Sequence, residues 1–315
     1  VVMSASNNGI NTKQTTTVST SLPTSTAKAA TATAHSITKP KPNSASQPCS
    51  YSELHVQQRD RIYVITFNRP TVCNALTRRG YYELIRALNY ATFDDAITTV
   101  VLTGADGCFT SGNDLTQLSQ YTSPHAFFRS SNYVLRFLIK SFIFCPKVLV
   151  ALVDGPCIGI GFVFAMLCDV VYCTERAYFE TPFTRLGLCP EGCATYLLPQ
   201  LLGRVKAAEL LLFGTRLSAV EALRFNLVAR IVPQSELERQ LWPQLLAYAR
   251  LPVESLRATK RVLAKMEREQ LLHALKAECL ELERLRKGET YQRAIQAFVA
   301  RKDRMGSGDE NKSKL

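Results

Sequence analysis

Acidic residues are scarce in this chain: 26 Asp and Glu stand against 38 Lys and Arg over 315 residues, leaving a formal net charge of +12. A basic surface concentrates polyanions, nucleic acids and phosphorylated small molecules alike, so charge alone selects no partner. What is missing argues against nucleic acid: the basic residues form no block, and neither zinc-finger spacing nor a homeodomain-like element accompanies them. The ten cysteines (Cys49, Cys73, Cys108, Cys145, Cys157, Cys168, Cys173, Cys189, Cys193 and Cys279) include no CxxC pair and sit mostly in apolar runs. That pattern suggests neither a disulfide framework nor a metal site, and it fits a reducing compartment. No apolar run is clean enough to span a membrane. The most apolar stretch, Val148 to Cys173, is broken by Asp154, Gly155, Pro156, Gly159 and Gly161, and reads as buried strand, turn, buried helix, strand.

Large apolar residues are almost absent from residues 1 to 48, which are rich in Ser, Thr, Ala and Pro, so this segment is expected to be disordered. It also has no acid and no arginine. Its Lys13, Lys28, Lys39 and Lys41 supply four of the net charges, and the first arginine is Arg59, unlike an arginine-rich mitochondrial transit peptide. Alternating apolar residues begin at Leu54, with a hairpin turn expected at Gln58, Arg59 and Asp60. Helix is expected from Thr77 to Ala91 and from His125 to Phe142, and strand from Thr99 to Thr103 and from Val148 to Val153. Strand and helix alternate, which indicates an α/β fold. Beyond Gly203 the pattern is almost wholly helical: Lys206 to Phe213, Ser218 to Phe225, Glu236 to Ala249, Val253 to Met266, and Gln270 to Arg301 with a break near Gly288. One short strand, Leu227 to Val232, interrupts it. The folded domain is bounded at 54 to 302, its helical part starting near 235, with a flexible tail over 303 to 315.

Three glycine-containing turns follow strands. The first, Ser111, Gly112, Asn113, Asp114, Leu115, reads equally as an ordinary loop with Asx turns. The second runs Gly155, Pro156, Cys157, Ile158, Gly159, Ile160, Gly161. A dinucleotide fingerprint would need a third glycine where Phe164 stands, so the nucleotide reading fails and a helix N-terminus with exposed N–H groups remains, able to hold a phosphate or an oxyanion. The third, Gly187 to Cys193, carries Glu191 between Pro190 and Gly192 among apolar neighbours. A glutamate in a turn is usually solvated; a buried one has a raised pKa and makes a competent proton acceptor and donor.

Together these turns, with Asn68, Arg69, Pro70, Asn74, Ala75, Leu76, with Cys168, Asp169, and with Thr181, Pro182, Phe183, carry a resemblance to the enoyl-CoA hydratase/isomerase family over about Leu54 to Arg301. The resemblance is greatest to the family's peroxisomal 3,2-enoyl-CoA isomerases. It implies a crotonase-like spiral of ββα units with a C-terminal helical region. It also implies an acyl-CoA thioester as substrate, no cofactor beyond the CoA that the substrate carries, and a homotrimer, or two trimers paired as a hexamer. The backbone N–H groups of Ser111 and Ile160 are then the expected oxyanion hole. Asn74, Ala75, Ser111, Gly112, Asn113, Asp114, Leu115, Gly159 and Phe183 are expected on the substrate and CoA side, with Arg78, Arg79 and Lys147 as possible cations for its phosphates.

Hydratases of this family use two glutamates to activate water, and the positions that correspond by motif hold Val163 and Phe183. Hydration is therefore not expected. Glu191 matches the single base of the isomerases, which shifts a 3-cis or 3-trans double bond to 2-trans in the oxidation of unsaturated fatty acids. Ser313, Lys314 and Leu315 form a peroxisomal import signal when they lie at a free C-terminus, so an import receptor is an expected partner and the peroxisome, ahead of the mitochondrion, the expected compartment. The competing class is a non-catalytic acyl-CoA-binding or interaction protein like the chromodomain-linked members; another crotonase-type reaction, such as dienoyl-CoA isomerisation, would need a further acid.

Overall fold

A computed structural model describes residues 50–116 and 124–306, and within the second stretch the side chains of 124–130, 299 and 301–306 lie outside the description. The expected tail over 1 to 48 and the Ser313, Lys314, Leu315 tripeptide both fall outside it.

Strands β1 (Leu54–Arg59) and β2 (Ile62–Phe67) form the expected hairpin, but the turn is one residue later than the sequence suggested. Arg59 pairs with Ile62, and Asp60 adopts φ 55°, a left-handed conformation that Asp tolerates. β2 then lies parallel to β3 (Thr99–Gly104), which is followed by β4 (Val148–Val153), β6 (Val170–Cys173) and β9 (Arg230–Ile231), all parallel. Successive residues of β2 face opposite sides. Tyr63, Ile65 and Phe67 join the main core, while Ile62 and Val64 join a second apolar cluster with Leu241, Trp242, Leu245 and Ala249.

A smaller sheet orders β5 (Pro156–Ile158), β7 (Tyr178–Glu180) and β8 (Arg216–Ser218), which sequence patterning missed because three-residue strands show no periodicity. Two isolated parallel bridges, Leu76 with Asn113 and Thr110 with Cys157, continue the pattern beyond β5. The chain thus visits the large sheet, crosses to the small layer and returns through a helix, turn after turn. The helices in question are α1 (Arg78–Phe93), α2 (Pro124–Ile143), α3 (Ile160–Met166) and α4 (Ala194–Leu202). This is the spiral of ββα units, and its crossings are where the three glycine turns stand.

Beyond α4 come α5 (Arg204–Phe213), α6 (Ala219–Arg224), α7 (Trp242–Ala249), α8 (Val253–Arg286) and α9 (Glu289–Gly306). The two helices expected on either side of residues 266 to 270 are one 34-residue helix, because Met266, Glu267, Arg268, Glu269 and Gln270 are all good helix formers with no Gly or Pro among them. The expected break at Gly288 is present, between α8 and α9. α9 runs to Gly306, past the boundary placed at 302. The strand expected over Leu227 to Val232 shrinks to Arg230–Ile231. Among the described residues no helix is long and apolar enough to cross a membrane.

Close backbone approach fixes the turns. Gly155 has φ 70°, and a Cβ there would run into the backbone carbonyl of Gly107. Gly155→Ala should therefore destabilise the fold by roughly 2–4 kcal/mol, combining left-handed strain with overpacking, read as a lowered urea midpoint at unchanged slope.

Candidate active site

The turn after β3 is pinned on both sides. Leu76 N–H donates to Gly112 O at 2.8 Å and Asp114 N–H to Leu76 O at 2.9 Å. Gly112, at φ 88°, packs its backbone so close to the second turn that a Cβ would lie 2.9 Å from Ile158 O. At the third turn a Cβ on Gly192 would lie 2.5 Å from Val163 Cγ1 and 3.3 Å from Ile160 Cδ1. The three glycine turns are therefore neighbours, and glycine is what lets them meet.

The backbone donors in the first turn are mostly spent. Ser111 N–H donates to Cys73 O at 2.9 Å, and Gly112 N–H to Thr110 Oγ1 at 3.0 Å. This corrects the expectation that Ser111 supplies an oxyanion donor, since its N–H already closes the loop. Among the described residues, the N–H groups of Asn113 and Ile160 have no acceptor, so the available pair is Asn113 with Ile160. Gly159, at φ 58° and ψ −122°, turns the chain into α3 and leaves open space where a Cβ would stand.

Asn74 and Ala75 also prove to be framework rather than lining. Asn74 is buried; its Oδ1 accepts from Arg69 N at 2.8 Å, and its Nδ2 donates to Ala105 O at 2.9 Å and Cys108 O at 2.6 Å. Every polar atom of that side chain is used to brace the loop. Ala75 is buried too, its carbonyl accepting from Arg69 Nη1. Phe183 is a core residue, and its carbonyl accepts from Leu188 N–H at the base of the third turn. Of the three cations considered for CoA phosphates, Arg78 lines the pocket, Arg79 pairs with Glu83 at 3.0 Å, and Lys147 is buried with Nζ donating to Asp94 O and Ile97 O.

The pocket itself has about 690 Å³ of free space including its open mouth. Leu76, Thr77, Arg78 and Tyr81 line it from α1 and its lead-in, Asn113, Asp114 and Leu115 from the first turn, and Ser131, Val134 and Leu135 from α2. Leu188 and Glu191 of the third turn, Arg286 at the end of α8 and Tyr291 of α9 complete it.

Glu191 is 2% exposed. Asn113 Nδ2 donates to its Oε1 at 3.0 Å, and Arg286 Nη2 approaches Oε2 at 3.5 Å. Tyr81 Oη donates to Asn113 Oδ1 at 2.5 Å, which fixes the amide so that its nitrogen faces the carboxylate. Burial pushes the Glu191 carboxyl above its usual range, and the Arg286 charge and the Asn113 bond offset this only in part. Burial and the nearby Glu191 charge likewise raise the Tyr81 hydroxyl, which stays protonated as a donor. Asp114, the other carboxylate in the pocket, behaves oppositely: burial pushes it up, but bonds from Thr116 and Arg69 outweigh that and hold it below its usual range.

Tyr81, Arg286 and Tyr291 were not singled out from the sequence. A signal for Arg286 exists. The buried stripe of α8 runs Leu271, Leu275, Glu278, Cys279, Leu282, Arg286, so a Glu and an Arg occupy positions where helical spacing calls for apolar residues. Glu278 uses its place to accept from Cys193 N at 2.6 Å and Thr195 N at 2.9 Å, capping α4 just after Glu191.

The ββα spiral with its helical C-terminal part is the crotonase fold, and a pocket holding one raised carboxylate, lined by Asn113 of the first turn, stands at its turns. The chain belongs to the enoyl-CoA hydratase/isomerase family, whose sequence model matches residues 57–305. It is 41% identical over 242 residues to "Enoyl-CoA delta isomerase 2" of Rattus norvegicus, a match covering 76% of this chain and 62% of that protein. It is 38% identical over 252 residues to "Enoyl-CoA delta isomerase 3, peroxisomal" of Mus musculus, covering 79% of each. A solved enoyl-CoA hydratase/isomerase from Pseudoalteromonas atlantica superposes with TM-score 0.72 at 30% identity, over 79% of this chain and 98% of that one. The chain thus spans about three fifths of the length of the rat protein.

The raised carboxyl has a consequence for stability. A group whose folded pKa exceeds its unfolded value stabilises the native state fully below the unfolded pKa, and that contribution is lost as pH rises through the folded one. Glu191→Gln removes this loss. The direction of the shift already includes the attraction of Arg286, so the variant should melt above the wild type at about pH 7 to 8, the gap closing towards about pH 4 in thermal melts at fixed ionic strength.

Proposed function

We propose that the protein is a 3,2-enoyl-CoA isomerase, moving a 3-cis or 3-trans double bond of an acyl-CoA to the 2-trans position. The observation that carries this reading is the contrast between the two pocket carboxylates. Asp114 is tied to Arg69 and Thr116 and kept ionised, whereas Glu191 is buried, raised and beside the turns that present the Asn113 and Ile160 N–H groups. In this mechanism the thioester oxygen accepts from those two N–H groups. The Glu191 carboxylate removes a proton from C2, the electrons pass to the thioester oxygen as an enolate, and the double bond comes to lie between C2 and C3 as the same carboxyl returns the proton to C4. One group serves both steps, and the net change is the position of the bond.

Val163 and Phe183 support isomerisation over hydration. Both are buried and apolar, and neither can take a proton from a water attacking C3. Leu76, Val134, Leu135 and Leu188 supply an apolar lining for the acyl chain, and Arg78 at the pocket supplies a cation for CoA phosphate. Exposed Val205, Leu212 and Phe213 on α5 and Val220 on α6 support assembly into the trimer or hexamer. Given a 3-enoyl-CoA, the wild type should form the conjugated 2-enoyl thioester, followed in the ultraviolet and by chromatography. From a trans-2-enoyl-CoA it should form little 3-hydroxyacyl-CoA. Glu191→Gln should remain folded with its isomerase rate lowered by roughly two to four powers of ten. Hydration outpacing isomerisation, or near-normal turnover without the carboxylate, overturns the assignment.

The mouse relative's name includes the peroxisome, and Ser313, Lys314, Leu315 match the import tripeptide. The proposed compartment is therefore the peroxisome. A fluorescent protein ending in residues 301 to 315 should enter peroxisomes, and removing Leu315 should leave it cytosolic; a cytosolic signal from the intact tail counts against the proposal.

A further inference from the structure

We propose that Arg286 is a positioning residue for Glu191: from the last turn of α8 it fixes the orientation of the carboxylate and supplies its counter-charge inside the apolar pocket. The proposal rests on the isomerase reading for its kinetic arm only.

Arg286 is 7% exposed, and a guanidinium removed from water that far must be matched by acceptors. The Glu191 carboxylate faces it as an ion pair, with Oε2 3.5 Å from Nη2, and Asn132 Oδ1 on α2 accepts from Nη1. Asn132 is itself held, its Nδ2 donating to Cys279 O at 3.3 Å, so the guanidinium is anchored by a second helix before it meets the carboxylate. The corner between α8 and α9 fixes its height. Gly288 N–H closes on Leu285 O at 2.9 Å, and α9 returns with Tyr291 buried against Gly187 of the third turn.

Two holds on two oxygens define one plane. Asn113 Nδ2 donates to Oε1 at 3.0 Å and the Arg286 guanidinium pairs with Oε2 at 3.5 Å, so rotating the carboxylate about its terminal bond would disturb both contacts. A base that must reach both C2 and C4 of a bound chain gains from such a fixed plane, because misplacement is expensive in rate.

The other titratable groups facing Glu191 do not supply its counter-charge. Tyr81 comes from α1, Asp114 from the first turn, Cys189 from its own loop, Glu278 and Cys279 from α8, and Tyr291 from α9; all are neutral or negative when they ionise. α3 has no titratable side chain, and α4 carries Thr195 and Tyr196 but no cation. Arg78 stands on α1, and Arg136 of α2 acts on Cys279, while the cation that lowers the Glu191 carboxyl is Arg286. Without it, burial would act against the anion with only Asn113 in opposition.

The test uses the full chain, wild type and the variants Arg286→Gln and Arg286→Lys, with folding checked by circular dichroism. The first readout needs no turnover: the Glu191 carboxyl is titrated by carbon NMR in protein labelled at glutamate, its signal assigned by its loss in Glu191→Gln. In Arg286→Gln it should titrate about one unit higher than in the wild type. The second readout is the pH profile of kcat and kcat/KM with 3-hexenoyl-CoA. The acid limb should move up by the same interval, kcat should fall roughly ten- to hundredfold, and KM should stay within about threefold. Arg286→Lys keeps the charge but not the fork, so it should titrate near the wild type and recover part of the rate. Should Arg286→Gln fail to fold, the lysine variant decides: reduced kcat with near-normal Glu191 titration supports the role, and wild-type kcat overturns it. An unmoved Glu191 titration in folded Arg286→Gln overturns the proposal. A wild type inert on 3-hexenoyl-CoA would instead sink the isomerase reading, leaving the titration to decide the role of Arg286.

Discussion

Backbone meeting backbone at the crossings of the spiral is the constraint on which the rest of this structure depends. Gly112 lies against Ile158, Gly155 against Gly107, and Gly161 so near Thr110 that any Cβ would collide. These approaches bring three turns, distant in sequence, to within side-chain reach of one another. They also dictate which N–H groups remain open. Each turn uses most of its donors on its neighbours, as Ser111 does on Cys73 and Asp114 on Leu76, and leaves few without an acceptor among the described residues. A backbone N–H pair such as the one proposed for Asn113 and Ile160 is fixed by the scaffold and needs no particular side chain, which makes it durable under sequence change.

The polar groups gathered around that pair work against stability. Glu191 and Glu278 are both buried and both pushed up chiefly by burial. Two raised, buried carboxyls, one of them facing a buried arginine, are a poor way to stabilise a core. Their partners explain their retention in different terms. Glu278 satisfies the open N-terminus of α4 and so secures the chain immediately after Glu191, whereas Glu191 engages the pocket. Stability spent at a site on one carboxylate is then partly restored by the other, through bonds to N–H groups that would otherwise be orphaned.

Much of this was legible in the sequence, and for definite reasons. The parallel strands read as short apolar runs between helices, and the 34-residue α8 shows its stripe once it is treated as unbroken. Each glycine turn alone reads as an ordinary loop, and they stood out only together, in the order and spacing that carry the family resemblance. The small sheet was invisible, since a three-residue strand carries no period. Asn74 and Ser111 were assigned to the substrate side because sequence cannot say where a polar group's hydrogen bonds go. Asn74 Oδ1 and Nδ2 are consumed by Arg69, Ala105 and Cys108, partners that come together only in the fold. Arg286 was overlooked for the opposite reason: a charged residue near a helix end looks solvated until the helix that follows it is seen to fold back.

The division of labour that results is chemically economical. In the proposed mechanism the N–H pair would stabilise any enolate formed at a bound thioester, so it would set the class of reaction without setting its outcome. The outcome depends on where a carboxylate stands relative to the carbon chain. Val163 and Phe183, which correspond by motif to the two glutamates of the family's hydratases, are both filled by side chains in the apolar core. With those places closed, Glu191 is left as the sole acid in the pocket among the described residues whose pKa is raised. A single raised carboxyl cannot activate water and protonate carbon in concert, but it can lend and reclaim one proton. The geometry therefore narrows the chemistry by exclusion as much as by provision, and that narrowing is what supports the proposed isomerase reading.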